Sequence, residues 1–283
     1  SKNASQDLVQ HSSGNYYKDV TQKEAEDFYA KLASADRTNT PPSYGLNSRL
    51  IKENGTVKEQ VWKVGGMYSA AIERIVSCLT QALPYAGTPE QAFAIQKLIS
   101  FYRSGDLKEF DAFNIQWLND GRPDLDFVNG FTEVYGDPLA RKGAWEALVN
   151  YKDKEASKRV DLVCENAQWF EDHSPIDLQY KKEKVVGVSA KVINYIMLGG
   201  DAYPSSPLGI NLPNAAWIRR DHGSKSVSIQ NISDALSEAD AGAGRLQEFS
   251  IDQAAVERAK KYGALAGYLL TDLHECLGHG SAK

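Results

Sequence analysis

The amino-acid sequence predicts a mixed α+β fold rich in helices. Three observations carry that prediction. Oxygen-bearing helix caps recur along the chain, each followed three residues later by an acidic or amide side chain. Between them lie short segments rich in β-branched and aromatic residues, one pair flanking an Asn-Gly turn. The two kinds of segment interleave without the regular strand–helix–strand repeat of a doubly wound sheet, and no internal repeat or heptad array is present.

In chain order, Thr21 with Glu24 opens an amphipathic helix carrying Ala25, Phe28, Tyr29 and Leu32. Residues 49–52 and 56–64 alternate about Asn54-Gly55 and read as a hairpin. A longer helix over 67–83 places Ile72, Ile75, Val76 and Leu79 on one side. Thr88, Pro89 and Gln91 start the next helix, Gly105 stops it, and Asp106 with Glu109 starts another. Residues 126–135, 185–189 and 225–229 are β-rich, whereas 140–170 returns to helical spacing through Trp145, Leu148, Val149, Val160, Val163 and Ala167. Ser250 with Gln253 opens a last helix from about Ile251 through Ala254, Ala259, Ala266 and Leu270. Its small residues predict close packing on several sides.

A chain of 283 residues with 42% hydrophobic content buries a substantial core and forms more than one lobe. Its net charge of -5 provides no general basic field for nucleic acid, and no uninterrupted apolar run is long enough to cross a membrane. Partners are therefore expected among small solutes, peptides and proteins. Cys78, Cys164 and Cys276 are too few and too scattered for a disulfide framework, which fits a reducing, cytoplasmic compartment.

The residues that carry chemistry are His274-Glu275-Cys276-Leu277-Gly278-His279. Two imidazoles and a carboxylate at this spacing offer zinc two nitrogen ligands and place a base beside a metal-bound water. The histidines are five residues apart. On a regular α-helix that is an angle of about 140°, so His274 and His279 reach one metal only where the helix widens locally. Gly278 tolerates such an excursion. The alternative is a helix end with a terminal glycine, its histidines near the negative end of the dipole. Cys276, on about the opposite helix face from His274, reads as a packed thiol rather than a third ligand.

Further segments, in order along the chain, resemble the dipeptidyl peptidase III family of zinc aminopeptidases. The hexapeptide and the following Gly280-Ser281 are similar to its metal motif, and Leu208-Gly209-Ile210-Asn211-Leu212-Pro213-Asn214 to its G-I-N-[IL]-P-N segment. Val227-Ser228-Ile229-Gln230-Asn231 follows at the family's distance, Gly130-Phe131-Thr132-Glu133-Val134-Tyr135-Gly136-Asp137-Pro138 resembles G-F-I-E-x-Y-x-D-P, and Ser13-Gly14-Asn15-Tyr16-Tyr17 is a looser match. The resemblance implies a two-lobed enzyme, with one β-barrel-containing lobe drawn from residues 1–145 and 191–240 and a helical, metal-carrying lobe drawn from 146–190 and 241–283. It implies that the chain is the central, incomplete part of a zinc-dependent dipeptidyl peptidase acting on short peptides with free N-termini. His274 and His279 would hold zinc and Glu275 would take the proton of the attacking water. Asn211 and Asn214 match the family's substrate-holding asparagines, although an N-x-x-N sequence beside proline also reads as a turn.

Asp126 falls where the family has a glutamate that pairs with the substrate ammonium; its other reading is a turn aspartate after Pro123-Asp124. Val128 replaces a frequent tyrosine that stabilises the oxyanion, and valine has no donor. The family's third zinc ligand is a glutamate in a Glu-Glu motif, and these residues contain no Glu-Glu pair. The isolated chain is accordingly expected to be inactive. The competing class of function is a non-catalytic peptide-binding segment using Asn211 and Asn214 without metal. His222 reads as a solvated loop residue, and Trp217 and the other tryptophans as packing residues.

Overall fold

A computed structural model of the chain describes residues 5–121, 123–185, 188–204, 207–242 and 244–278, without the side chains of 188–189 and 240–242. The chain divides into two compact units. One comprises Ser1–Pro123, Asn129–Glu146 and Pro213–His222, and the other Asp124–Val128, Ala147–Leu212 and Gly223–Lys283.

In the first unit a two-residue strand β1 (Tyr17–Lys18) pairs in parallel with β2 (Ser48–Glu53), which forms an antiparallel hairpin with β3 (Thr56–Val61). The turn obeys the sequence: Asn54 and Gly55 have φ of 51° and 79°, as a primed two-residue turn requires, and Glu53 pairs with Thr56. Helix α1 (Gln22–Ala35) begins with the expected capping box of Thr21 and Glu24 and buries Ala25 and Tyr29 beside Leu50. Helix α2 (Ser69–Ala82) buries Ile72 and Val76. Helix α3 (Pro89–Ser104) starts at the Thr88 cap and ends at left-handed Gly105, and the Asp106 carboxylate caps α4 (Leu107–Asn119). Phe101 and Phe110 join α3 to α4 with ring centroids 4.7 Å apart.

The chain then passes between the units along β4 (Leu125–Glu133) and β5 (Ala144–Lys152). β5 overturns the helical spacing expected there. Its buried residues are Glu146, Leu148 and Asn150, a period of two that neighbouring strands impose, and helical geometry starts only after Asp153, the cap of α5 (Lys154–Glu165). Helix α6 (Ala167–His173) follows. The β-rich stretch anticipated at 185–189 becomes the longer β6 (Val188–Gly200), with residues 186–187 outside the description.

β6 pairs in parallel with β8 (Ser224–Ile229), and β8 pairs antiparallel with β7 (Gly209–Leu212); α7 (Ala216–His222) connects β7 to β8. The strand orders are β1-β2-β3 and β4-β5-β6-β8-β7. The class is the expected α+β, with two mixed sheets. Among the described residues neither sheet closes into a barrel.

Alternation along β6 and β8 gives the second unit two cores. Ile193, Tyr195, Val227 and Ile229 pack with Leu148 on one face, while Ala190 and Val192 pack with Val160, Val163 and Cys276 on the other. Helices α8 (Gln230–Gly242) and α9 (Arg245–Phe249) precede α10 (Gln253–Leu273). α10 is capped by Asp252, which accepts from the Ala255 N–H, rather than by Ser250. Nor is it buried on several sides: within it only Val256 and Asp272 are buried, and Tyr262, Leu265 and Leu270 face outward.

Candidate active site

α10 does not end at the metal motif but changes pitch there. His274–Gly278 forms a π-helical turn. Such a turn closes i→i+5 rather than i→i+4, so a residue and the fifth after it come to one face. This is the local widening that a five-residue histidine spacing requires. His279 itself lies outside the described residues.

The turn is seated on β7 and β8. Ser226 Oγ donates to the Glu275 carbonyl at 2.8 Å, and Ser228 Oγ donates to Asp272 Oδ1 at 2.8 Å. Asp272 is fully buried and its other oxygen accepts from Arg159 Nε of α5 at 2.5 Å, which fixes the last α-helical turn before His274. Cys276 packs against Val160 and Val192 with its sulfur 3.8 Å from that of Cys164, as a packed thiol should. Its hydrogen bond with Cys164 and its burial push its thiol pKa far up.

His274 projects outward, its side chain 63% exposed, with Nε2 4.0 Å from Glu275 Oε1. The Glu275 side chain is buried, and among the described residues Oε2 has no hydrogen-bond partner. Burial raises its pKa above the ordinary carboxylate value, against a smaller lowering by His274. Gly209 of β7 lies directly against the same carboxylate, where a Cβ would stand 2.1 Å from Oε1. A side chain at this position would have to displace the Glu275 carboxylate.

The His274 imidazole, on a turn of i→i+5 pitch, has the donor chemistry of one zinc ligand, and the buried carboxylate beside it has that of a base. Among the described residues no group of three or more His, Cys, Asp or Glu is placed to hold a metal.

Asn211 is held beside this turn. Its Nδ2 donates to Ser226 Oγ at 2.6 Å and to Ser224 Oγ at 3.1 Å, while its buried Oδ1 has no partner among the described residues. It lies within a strand, not a turn. Asn214 belongs to the other unit, where its exposed amide donates to Glu133 Oε1 at 3.2 Å and to the Thr132 carbonyl at 3.4 Å.

Asp126 is in β4 rather than in a turn, and it is buried. Its Oδ2 accepts from Lys191 Nζ of β6 at 2.6 Å and Lys225 Nζ of β8 at 3.4 Å. Burial raises its pKa, but Lys191 and Lys225 outweigh that and hold the carboxyl below its ordinary value. Lys225 and Ser226 are successive residues of β8 and point to opposite faces. Asp126 and Glu275, which these two residues touch, are therefore not brought together. Val128 packs against the Leu148 core.

Sequence reasoning overlooked Arg159, Asp272, Ser226, Ser228, Lys191 and Lys225. A signal was present for the serines: Ser224, Ser226 and Ser228 recur every second residue within a β-rich segment, marking one polar face of a strand.

Comparison with known proteins places the chain among the peptidases. The profile of Peptidase family M49 matches residues 3–283. The chain belongs to this family, and dipeptidyl peptidases III are among its relatives in sequence and structure. Dipeptidyl peptidase 3 of Dictyostelium discoideum is 30% identical over 267 residues, 92% of this chain and 35% of that protein. The human dipeptidyl peptidase 3 is 26% identical over 218 residues, 77% of this chain and 29% of that one. In structure, dipeptidyl-peptidase III from Corallococcus sp. strain EGB matches 95% of this chain and 48% of its own with a TM-score of 0.75 at 20% identity, a likeness of fold. The chain thus spans about a third of the length of the curated relatives it matches.

Proposed function

We propose that the chain is the central part of a zinc-dependent dipeptidyl peptidase that removes dipeptides from the free N-termini of short peptides. One observation supports this above others: a buried glutamate, one oxygen of which has no partner among the described residues, follows an outward-facing histidine on a π-turn that Ser226 links to Asn211. His274 and His279 would hold zinc, which when bound acidifies water and polarises a carbonyl. Glu275 holds the proton taken from the attacking water, a role for which burial has already raised its basicity. β7 ends its sheet order, so an extended peptide can add along it, with Asn211 Oδ1 accepting a substrate N–H. Asn214 offers a second amide to the same ligand class.

Asp126 enters as the receptor of the substrate ammonium on its sequence motif alone; the two lysines already at its carboxylate oppose a third cation. The third zinc ligand and the barrel-type architecture belong to the whole protein, with lobes drawn from 1–145 and 191–240 and from 146–190 and 241–283. The chain alone would be inactive, and a cytoplasmic location fits its thiols.

The test uses the full-length protein and a dipeptidyl-arylamide. Release of dipeptide is expected to stop on chelation, return with zinc, and fail in Glu275→Gln with zinc still bound. Activity that survives both treatments rejects the mechanism. Peptide binding without zinc dependence would instead establish a non-catalytic binding segment.

A further inference from the structure

Gly209 pairs with Ser228 and Asn211 with Ser226 in the antiparallel register of β7 and β8. Alternation puts these four residues, with Ser224, on one face of the strands. These residues serve the same turn or brace those that do. Gly209 leaves room for the Glu275 carboxylate, Ser228 holds Asp272, and Ser226 holds the main chain of Glu275. Asn211 in turn donates to Ser226.

The direction of these bonds is consistent. A hydroxyl has one proton to give, and that of Ser226 goes to the Glu275 carbonyl, so the oxygen is left to accept from Asn211. Donors and acceptors aligned this way strengthen one another in a buried setting. A π-turn interrupts the α-helical ladder around it, and an outside donor to one of its carbonyls favours the widened pitch over the ordinary one.

We propose that Ser226 is a positioning residue: its hydroxyl fixes the main chain of Glu275 in the π-turn and ties the placement of that carboxylate to Asn211, the amide assigned to substrate. This rests on the reading of Glu275 as the base. Substrate engaging Asn211 Oδ1 then bears on the same hydrogen-bonded chain that sets the base. Ser224 is the internal contrast. It accepts from Asn211 at 3.1 Å, and among the described residues it makes no hydrogen bond to the turn.

The experiment compares Ser226→Ala, Ser226→Cys and Ser224→Ala in the full-length zinc enzyme, with Glu275→Gln measured alongside. Readouts are kcat, KM, zinc retained after dialysis and thermal midpoint. Ser226→Ala is expected to lower kcat by about tenfold to a hundredfold, the effect of misplacing a reacting group by a fraction of an ångström to an ångström, with weaker zinc retention and little change in KM. Ser226→Cys, which keeps the volume and weakens the donor, should fall between, and supplies the answer where the alanine variant does not fold. Ser224→Ala should act on KM alone. A lower thermal midpoint with wild-type kcat and zinc retention in both Ser226 variants would overturn the proposal, as would equal loss of kcat in Ser224→Ala. Loss of activity in Glu275→Gln together with unaltered Ser226 variants rejects Ser226 only; full activity in Glu275→Gln rejects the base itself.

Discussion

Two buried carboxylates lie on opposite faces of the same strands of the second unit, and they are treated in opposite ways. Asp126 is closed in by Lys191 and Lys225, and its pKa is held down. Glu275 has His274 Nε2 4.0 Å away and, among the described residues, no partner for its other oxygen, and its pKa is pushed up by burial. A carboxylate whose lone pairs are taken by two ammonium groups is stabilised as an anion and made inert. One that is buried without such partners costs stability and gains basicity. Both are buried carboxylates; the neighbours across the sheet make the difference.

The sharpest way to break the comparison is kinetic. Glu275→Gln in the full-length enzyme should cost about 10²- to 10⁴-fold in dipeptide release, the range of general-base catalysis, whereas Asp126→Asn should leave kcat within a few-fold. Next in size is a stability effect with the order reversed. Asp126→Asn leaves two buried ammonium groups facing each other without their anion, and about 3–5 kcal/mol should be lost in urea unfolding. A rise in KM at unchanged stability would instead identify Asp126 as the ammonium receptor.

Gly209→Ala forces a methyl onto the Glu275 carboxylate and should cost about 1–3 kcal/mol, with activity impaired. The penalty should vanish in a Glu275→Ala background, a double-mutant cycle read by thermal melting. The smallest effect is that of acid. Because the folded pKa of Asp126 lies below its ordinary 3.8, its contribution is complete above that value and is lost as the pH falls through the folded one. The acid limb of a stability profile should therefore be shallower in Asp126→Asn than in the wild type.

Elements whose ends are set by local chemistry were legible. The Thr21 capping box, the Thr88 and Asp106 caps, the Gly105 stop and the Asn54-Gly55 turn all occur where the sequence places them. β5 was not, because Trp145, Leu148 and Val149 satisfy helical spacing while the burial of Glu146, Leu148 and Asn150 exists only once neighbouring strands are in place. β7 was read as a motif rather than a strand, since four residues ending before proline hold too little periodicity. The site divides in the same way. His274 and Glu275 announce themselves by type and spacing, whereas Arg159 and Asp272 are 113 residues apart and meet only through the packing of α5 on α10.

By itself the sequence determined the Thr21, Thr88 and Asp106 caps, the hairpin, the family and the need for a widened helix between His274 and His279, because each follows from short-range geometry or from a run of adjacent residues. Tertiary structure alone decided which carboxylate is neutralised and which is left with an unsatisfied oxygen. A side chain's electrostatic environment is built from groups distant in the chain, and a one-residue step along β8, from Lys225 to Ser226, is enough to turn from one environment to the other.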